Sequence, residues 1–344
     1  MLTETPGWWY PEKKGTRLQR GISQALRPLG SLYSHFTAHR MARNPTYAPS
    51  IPVICVGNFT AGGTGKTPLC LALAEMLQAG GHRVAFLSRG YGGKVAGPYD
   101  VDPARDTAAR VGDEPLLLAR QAPTTIARDR AVGAKQIERT GADVIIMDDG
   151  LQNPTLAKSL TFAVVDGARG LGNGLSIPAG PLRASLESQL AHVDAIVMNG
   201  PLETALLPTG SKILLQGEMR PAPDALALTD LSLIGFAGIG NPSRFATTLR
   251  QMGVNLTDMR AFPDHHPYSE VDAERLLEAA RQSGAQLVTT RKDWVRLAGM
   301  PAQSARAQLH GAAIPFDVTF QFADGDARRI AAMLDLAVVG AGRV

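Results

Sequence analysis

Cysteine is nearly absent from this 344-residue chain: Cys55 and Cys70 are its only two, in no metal-ligand spacing. Neither a disulfide framework nor a zinc site is therefore expected, and a reducing cytoplasm fits best. Long apolar runs are missing too. No stretch reaches the roughly 18 residues that a spanning helix needs. The opening MLTETPGWWYPEKKG places its charges after its aromatics and lacks a secretory apolar core and cleavage site, so an uncleaved start is expected. Charge of one sign is also scarce: a net +4 over this length gives no argument for nucleic acid as a partner. There is no internal repeat and no low-complexity tract.

What is present is ordinary globular material, 44% apolar and 19% charged, in a chain long enough for two domains. Leu18, Ile22, Ala25, Leu26, Leu29, Leu32, Tyr33 and Phe36 recur at helical spacing and predict a helix over residues 16–40, interrupted by Pro28. Lys13, Lys14, Arg17, Arg20, Arg27, Arg40 and Arg43 crowd the same region against one acid, Glu12, with Trp8, Trp9 and Tyr10 in front. Two readings stand: an interfacial membrane helix, or a helix packed on the domain with a solvated basic rim. Beyond it, strands at 52–56, 83–87, 143–147, 161–165 and 195–198 alternate with helices at 66–78, 114–120, 128–139 and 182–190. That alternation predicts an α/β fold, a mostly parallel sheet covered by helices. A smaller α/β unit follows, with strands at 232–237, 286–289 and 314–320 and helices at 243–252 and 269–283. The expected division is 1–48 for the amphipathic helix, as part of the first domain, 49–208 for the core, and 209–344 for the smaller unit.

The stretch VGNFTAGGTGKTP lies between the first strand of that series and its helix. It ends like the phosphate loop G-x-x-x-x-G-K-[ST], but Thr60 stands where the first glycine belongs. Gly62, Gly63 and Gly65 still let backbone N–H groups turn onto phosphate oxygens, and a helix starting at Lys66 adds its positive end. Thr60, Ala61, Gly62, Gly63, Thr64, Gly65, Lys66 and Thr67 are thus the candidate nucleotide-binding residues. Lys66 would neutralise the outer phosphates and the Thr67 hydroxyl would hold Mg²⁺. The apolar strand VIIMDDG supplies the expected acids, Asp148 and Asp149; which one faces the metal stays open, since neighbours leaving a strand point opposite ways.

VGDEPLLLAR offers Asp113 and Glu114 ahead of an apolar helix, where capping is the alternative role. FPDHHPY offers Asp264, His265 and His266 in a loop of the second unit. Arg89 and Tyr91 in FLSRGYGG, Arg128 and Arg130 in IARDRAVGA, and Asn173 and Arg183 in GNGLSIPAGPLR lie where an anionic acceptor would meet them, with pairing to acids as the competing explanation.

These pieces, with GIGNPSRF and TTRKDWVRL, resemble the tetraacyldisaccharide 4'-kinase family in nearly their whole order. In that family the T-x-G-G-x-G-K-T loop is the rule, so Thr60 is a family trait. The resemblance implies a P-loop kinase that uses ATP and Mg²⁺ to phosphorylate the 4'-hydroxyl of a tetraacyldisaccharide 1-phosphate, forming lipid IV(A). It implies Asp113 as base assisted by His265, and Glu114, Asp148, Asp149 and Thr67 around the metal. Arg89, Tyr91, Arg128, Asn173 and Arg183 are expected to meet the lipid substrate. A peripheral monomer at the cytoplasmic face of the inner membrane is expected, without nucleic acid. Asn153 and Arg291 depart from the family pattern, which often has a histidine and an acid there. The rival is a P-loop regulatory ATPase or GTPase acting on a protein partner; no convincing N-K-x-D motif supports the GTPase, RKDW being a poor imitation.

Overall fold

Among the residues described by this computed structural model, 5–11, 15–202 and 212–341, thirteen strands fall into two sheets. In chain order they are β1 (Val53–Gly57), β2 (Val84–Ser88), β3 (Tyr99–Asp100), β4 (Thr124–Ile126), β5 (Val144–Asp148), β6 (Leu160–Asp166), β7 (Ala195–Asn199), β8 (Ile213–Pro221), β9 (Ser232–Ala237), β10 (Asn255–Ala261), β11 (Gln286–Thr290), β12 (Ala313–Phe316) and β13 (Val318–Phe322). The larger sheet runs β13-β8-β7-β6-β1-β5-β2-β4-β3, parallel except at its two ends, where β13 and β3 turn antiparallel. The smaller sheet, β10-β9-β11-β12, is parallel throughout. The expected mostly parallel α/β fold is therefore present.

The central strands are apolar runs because both faces are covered. On one face Ile54, Val56, Ile146 and Phe162 meet Leu69, Leu73 and Leu77 of the helix Lys66–Ala79, and Ile330 and Leu334 of the C-terminal helix Asp324–Ala341. On the other face Ala163, Val165, Ile196 and Met198 meet Phe59, Leu182 and Met41. Met41 ends the N-terminal helix Arg17–Met41, which Thr16 and Gln19 start with a reciprocal capping box. Gly30 lets that helix approach the backbone of Ser176: an added Cβ would stand 2.7 Å from its carbonyl oxygen.

The chain departs from the expected division after residue 209. The strand β8 continues the larger sheet beside β7, and after the smaller sheet is complete the chain returns as β13 and the C-terminal helix. A seam read by composition cannot show this, because β8 is apolar enough for either sheet. The expected boundary at 208–209 itself lies outside the described residues, as do Glu12, Lys13 and Lys14. The strand expected over 314–320 divides at Asp317 into β12 and β13, which belong to different sheets. The helix expected over 182–190 shortens to Leu186–Leu190. Its first residues are drawn away by the phosphate loop, with Leu182 bridging Thr60 and the Arg183 N–H donating to the Phe59 carbonyl at 2.9 Å.

Candidate active site

The phosphate loop follows β1 and opens the helix Lys66–Ala79, as the strand-turn-helix pattern requires. Gly62 and Gly65 take φ of 108° and 99°, which a side chain would strain, and a Cβ on Gly62 or Gly63 would meet nothing within 4 Å. The loop's inner surface is thus open to phosphate. Two buried asparagines hold it from behind. Asn58 donates to the Gly62 carbonyl at 3.3 Å and to the Thr64 hydroxyl at 3.2 Å, and Asn199 at the end of β7 donates to the Thr64 carbonyl at 3.0 Å.

The two acids after β5 have different surroundings. Asp149, with φ of 52°, is gripped by Arg183 at 2.9 and 3.1 Å and lies 3.7 Å from Lys66. Burial would raise its carboxyl, but Arg183 and Lys66 hold it below the usual carboxylate range. Asp148 is buried at 1% exposure; its Oδ1 accepts from the Cys70 thiol at 3.8 Å and its Oδ2 has no partner. Burial pushes it up to about 7, with Glu114 and Asp149 adding like charge against Lys66. A buried carboxylate oxygen without a donor, with Glu114 and Asp149 as charged neighbours, fits a hard divalent cation whose other ligands come from phosphate and water. Among the described residues no three His, Cys, Asp or Glu side chains form a complete metal cage.

The G-D-E-P acids face the second unit. Asp113 is the first residue of the helix Asp113–Ala119, but the N-cap is Gly112 and no side chain caps the helix, so the capping role expected as the alternative is not what engages its carboxylate. Its Oδ2 accepts from Nε of Arg296 at 2.7 Å and from a second guanidinium nitrogen, and lies 3.2 Å from His265 Nδ1. Burial would raise Asp113, yet Lys292, His265 and Arg296 keep it well below the usual carboxylate range. Arg296 also donates to Asp293 at 2.7 Å and to the Gly238 carbonyl at 2.6 Å. Glu114 is 2.7 Å from Lys292 Nζ. Burial would lower Lys292, but Glu114 and Asp113 hold it above the usual lysine value. His265 sits at φ 57°, its ring edge-on to Tyr91 at 5.6 Å.

One cavity of about 1900 Å³ joins these parts. It is lined by the phosphate loop, Glu114, Asp149 and His265, by Arg89, Tyr91, Arg128, Arg130 and Arg183, and by Tyr33, Thr37, Arg40 and Arg43 of the N-terminal helix. Asn173 does not line it. Its amide donates to the carbonyls of Trp8 and Ala179, each at 2.9 Å, and to Ser23, while its oxygen accepts from the Leu175 N–H, so it braces the N-terminal segment. Trp8 and Trp9 both donate to the Pro178 carbonyl, and Tyr10 lies beneath the guanidinium of Arg169. The leading aromatics are therefore packed on the protein, and the outward apolar face belongs to Leu18, Leu29, Leu32 and Phe36. Sequence reading gave no role to Asn58, Asn199, Lys292 or Arg296. Asn58 stands in the phosphate-loop stretch without a phosphate-contacting position and Asn199 in no motif, and the cations lie about 180 residues from their acids (separations of 178 and 183). Arg130, one of the arginines expected to meet an anionic acceptor, is buried, its Nε has no partner, and burial pulls it down to about 10.

The family model for tetraacyldisaccharide-1-P 4'-kinase matches residues 22–336. A tetraacyldisaccharide 4'-kinase of Rhodopseudomonas palustris is 49% identical over 331 residues, covering 94% of this chain and 93% of that one. One of Methylorubrum extorquens is 52% identical over 306 residues, covering 88% and 91%. The crystal structure of LpxK from Aquifex aeolicus, solved in complex with ATP, superposes with a TM-score of 0.74 at 23% identity, covering 92% of this chain and 99% of that one. At that identity the structural likeness establishes the shared fold.

Proposed function

The chain belongs to the tetraacyldisaccharide-1-P 4'-kinase family, and on that premise we propose that its cavity moves the γ-phosphoryl group of ATP to the 4'-hydroxyl of a tetraacyldisaccharide 1-phosphate, a step of lipid A biosynthesis. The observation that carries this reading is that a phosphate loop and an Asp–His pair line or flank one cavity that continues to the N-terminal helix. A regulatory ATPase needs no such acceptor space.

ATP phosphates lie on the N–H groups of residues 62–67, with Lys66 on the outer oxygens. Thr67 and Asp148 would hold Mg²⁺, with Asp149 kept in place by Arg183; when bound, the ion neutralises charge on the β- and γ-phosphates. Glu114 would join that group through Oε2, since its Oε1 holds Lys292. The acceptor oxygen attacks the γ-phosphorus, the bond to the β,γ-bridging oxygen breaks, and ADP leaves. Asp113 is already saturated by Arg296 and His265, so in this reading the hydroxyl proton passes to His265 Nε2; Nδ1, which lies 3.2 Å from Asp113 Oδ2 and 3.3 Å from Arg296, carries its hydrogen toward Asp113, and Asp113 offsets the imidazolium charge. Asp113 then acts through His265, in place of the role as base that the family resemblance implies for it. Arg89, Arg128 and Arg130 supply the charge for an anionic acceptor.

No helix among the described residues is long and apolar enough to cross a membrane. The exposed Leu18, Leu29, Leu32 and Phe36, flanked by arginines, support peripheral contact with an anionic bilayer, where the acyl chains of the substrate reside. Labelled ATP incubated with the disaccharide 1-phosphate in detergent micelles tests the reading: labelled lipid is expected, and its absence from enzyme that still binds ATP would sink it.

A further inference from the structure

The motif GIGNPSRF is absorbed by none of these roles, yet it occupies the seam above the phosphate loop. It links β9 to the helix Pro242–Gln251, which Asn241 caps by accepting from the Arg244 N–H at 3.1 Å. Three contacts fix its position. A Cβ on Gly240 would stand 3.8 Å from the backbone nitrogen of Gly63, so the second unit's loop approaches the phosphate loop at that residue. Arg169 of the first domain donates to the Gly240 carbonyl at 3.3 Å. Arg244 reaches back across the seam to Asp166 Oδ2 at 2.8 Å, beside Gly200, whose neighbour Asn199 holds the loop at Thr64.

We propose that Arg244 is a nucleotide-binding residue, delivered over the phosphate loop by the second unit, which exchanges Asp166 for the phosphate chain of ATP. The proposal rests on the functional reading above. Arg244 lines the cavity with its side chain about one-third exposed (34%) and, like Arg291 and Lys292, the other cations of that unit lining the cavity, is paired with an acid; its partner, Asp166, ends β6, the strand beside the β1 that leads into the phosphate loop. It stands on the β6–β7 side of the loop, away from Arg89 and Arg128 near β2 and β4, so it serves the nucleotide and not the acceptor. A polyphosphate offers a planar guanidinium more charge and more bidentate geometries than one carboxylate whose Oδ1 already accepts from the Ala168 N–H at 3.0 Å. The exchange would draw the second unit down when ATP enters.

The competing role is a plain inter-unit latch, and paired variants separate the two. Calorimetric ATP titration and initial rates are measured on the full-length wild type, Arg244→Ala, Arg244→Lys and Asp166→Asn, each checked by thermal melting. Arg244→Ala should weaken ATP binding and raise KM for ATP by about tenfold or more, with KM for the disaccharide unchanged. Arg244→Lys, which keeps charge but loses the fork, should fall between. Asp166→Asn, which frees the guanidinium, should bind ATP as tightly as wild type or more tightly. Equal weakening in Arg244→Ala and Asp166→Asn, or no change in Arg244→Ala while wild type binds ATP, would overturn the proposal. A wild type that binds no ATP would overturn the functional reading and this inference with it.

Discussion

The phosphate loop and the inter-unit seam hold charges of similar number but are built on opposite plans. Around the loop, Lys66, Asp148, Asp149 and Arg183 all come from strand ends and turns of one sheet, and Asn58 and Asn199 brace it from the same sheet. At the seam, Asp113 and Glu114 come from one unit and His265, Lys292 and Arg296 from the other. The first is preformed by a single core; the second exists only while the two units are docked. Nucleotide binding should therefore survive loss of Asp113 or His265, whereas proton transfer should not.

The largest test removes the loop's own charge. Lys66→Ala should lower labelled-lipid formation by about a hundredfold or more, since no other side chain stands at that position. Next, Asp113→Asn and His265→Ala should each lower kcat by about 10²- to 10⁴-fold while ATP affinity measured by titration stays near wild type. The double variant should be little worse than the worse single one, because the pair acts as a unit. Loss of ATP affinity in step with kcat would break the comparison. Arg296→Met leaves a buried Asp113 with part of its compensation gone, so denaturant unfolding should show a loss of about 3–5 kcal/mol; ATP binding near wild type would again place that cost at the seam.

The two regions also differ in the sign of their pH dependence. Asp113 is depressed, so its contribution is present above the ordinary carboxylate value of 3.8 and is lost only as pH falls below it. Asp148 is raised to about 7, so its contribution is complete below 3.8 and disappears as pH rises through about 7. Melting curves of metal-free protein should thus decline between about pH 4 and 8, and Asp148→Asn should flatten that decline. The smallest expected effect is at the helix surface. Replacing Leu29, Leu32 and Phe36 together by Ser should weaken flotation with anionic vesicles and leave the rate in detergent within about twofold, because these side chains are exposed.

Much of this was readable before any coordinates. The helix Arg17–Met41, the strands β1, β2, β5, β6, β7 and β9, and the helices Lys66–Ala79 and Glu270–Ser283 fall where periodicity puts them. The two- and three-residue strands β3 and β4 were too short to carry a period, and nothing in the apolar run at β8 names its partner strand. Trp8 and Trp9 stood in front of a helix that could be interfacial or packed on the domain, because an exposed indole and one docked on the Pro178 carbonyl have the same sequence.

By itself the sequence determined the phosphate loop, the fold class and the family, because each depends on neighbours within a dozen residues or on patterns repeated along the chain. Only the tertiary structure decided that Asp148 keeps an unpartnered oxygen while Asp149 is held by Arg183, that Asp113 lies against His265, and that Arg244 reaches Asp166 across the seam. The physical reason is that charge pairing is set by distance in space, and the cations that fix Asp113 and Glu114 arrive from about 180 residues away (separations of 183 and 178), where local pattern has no reach.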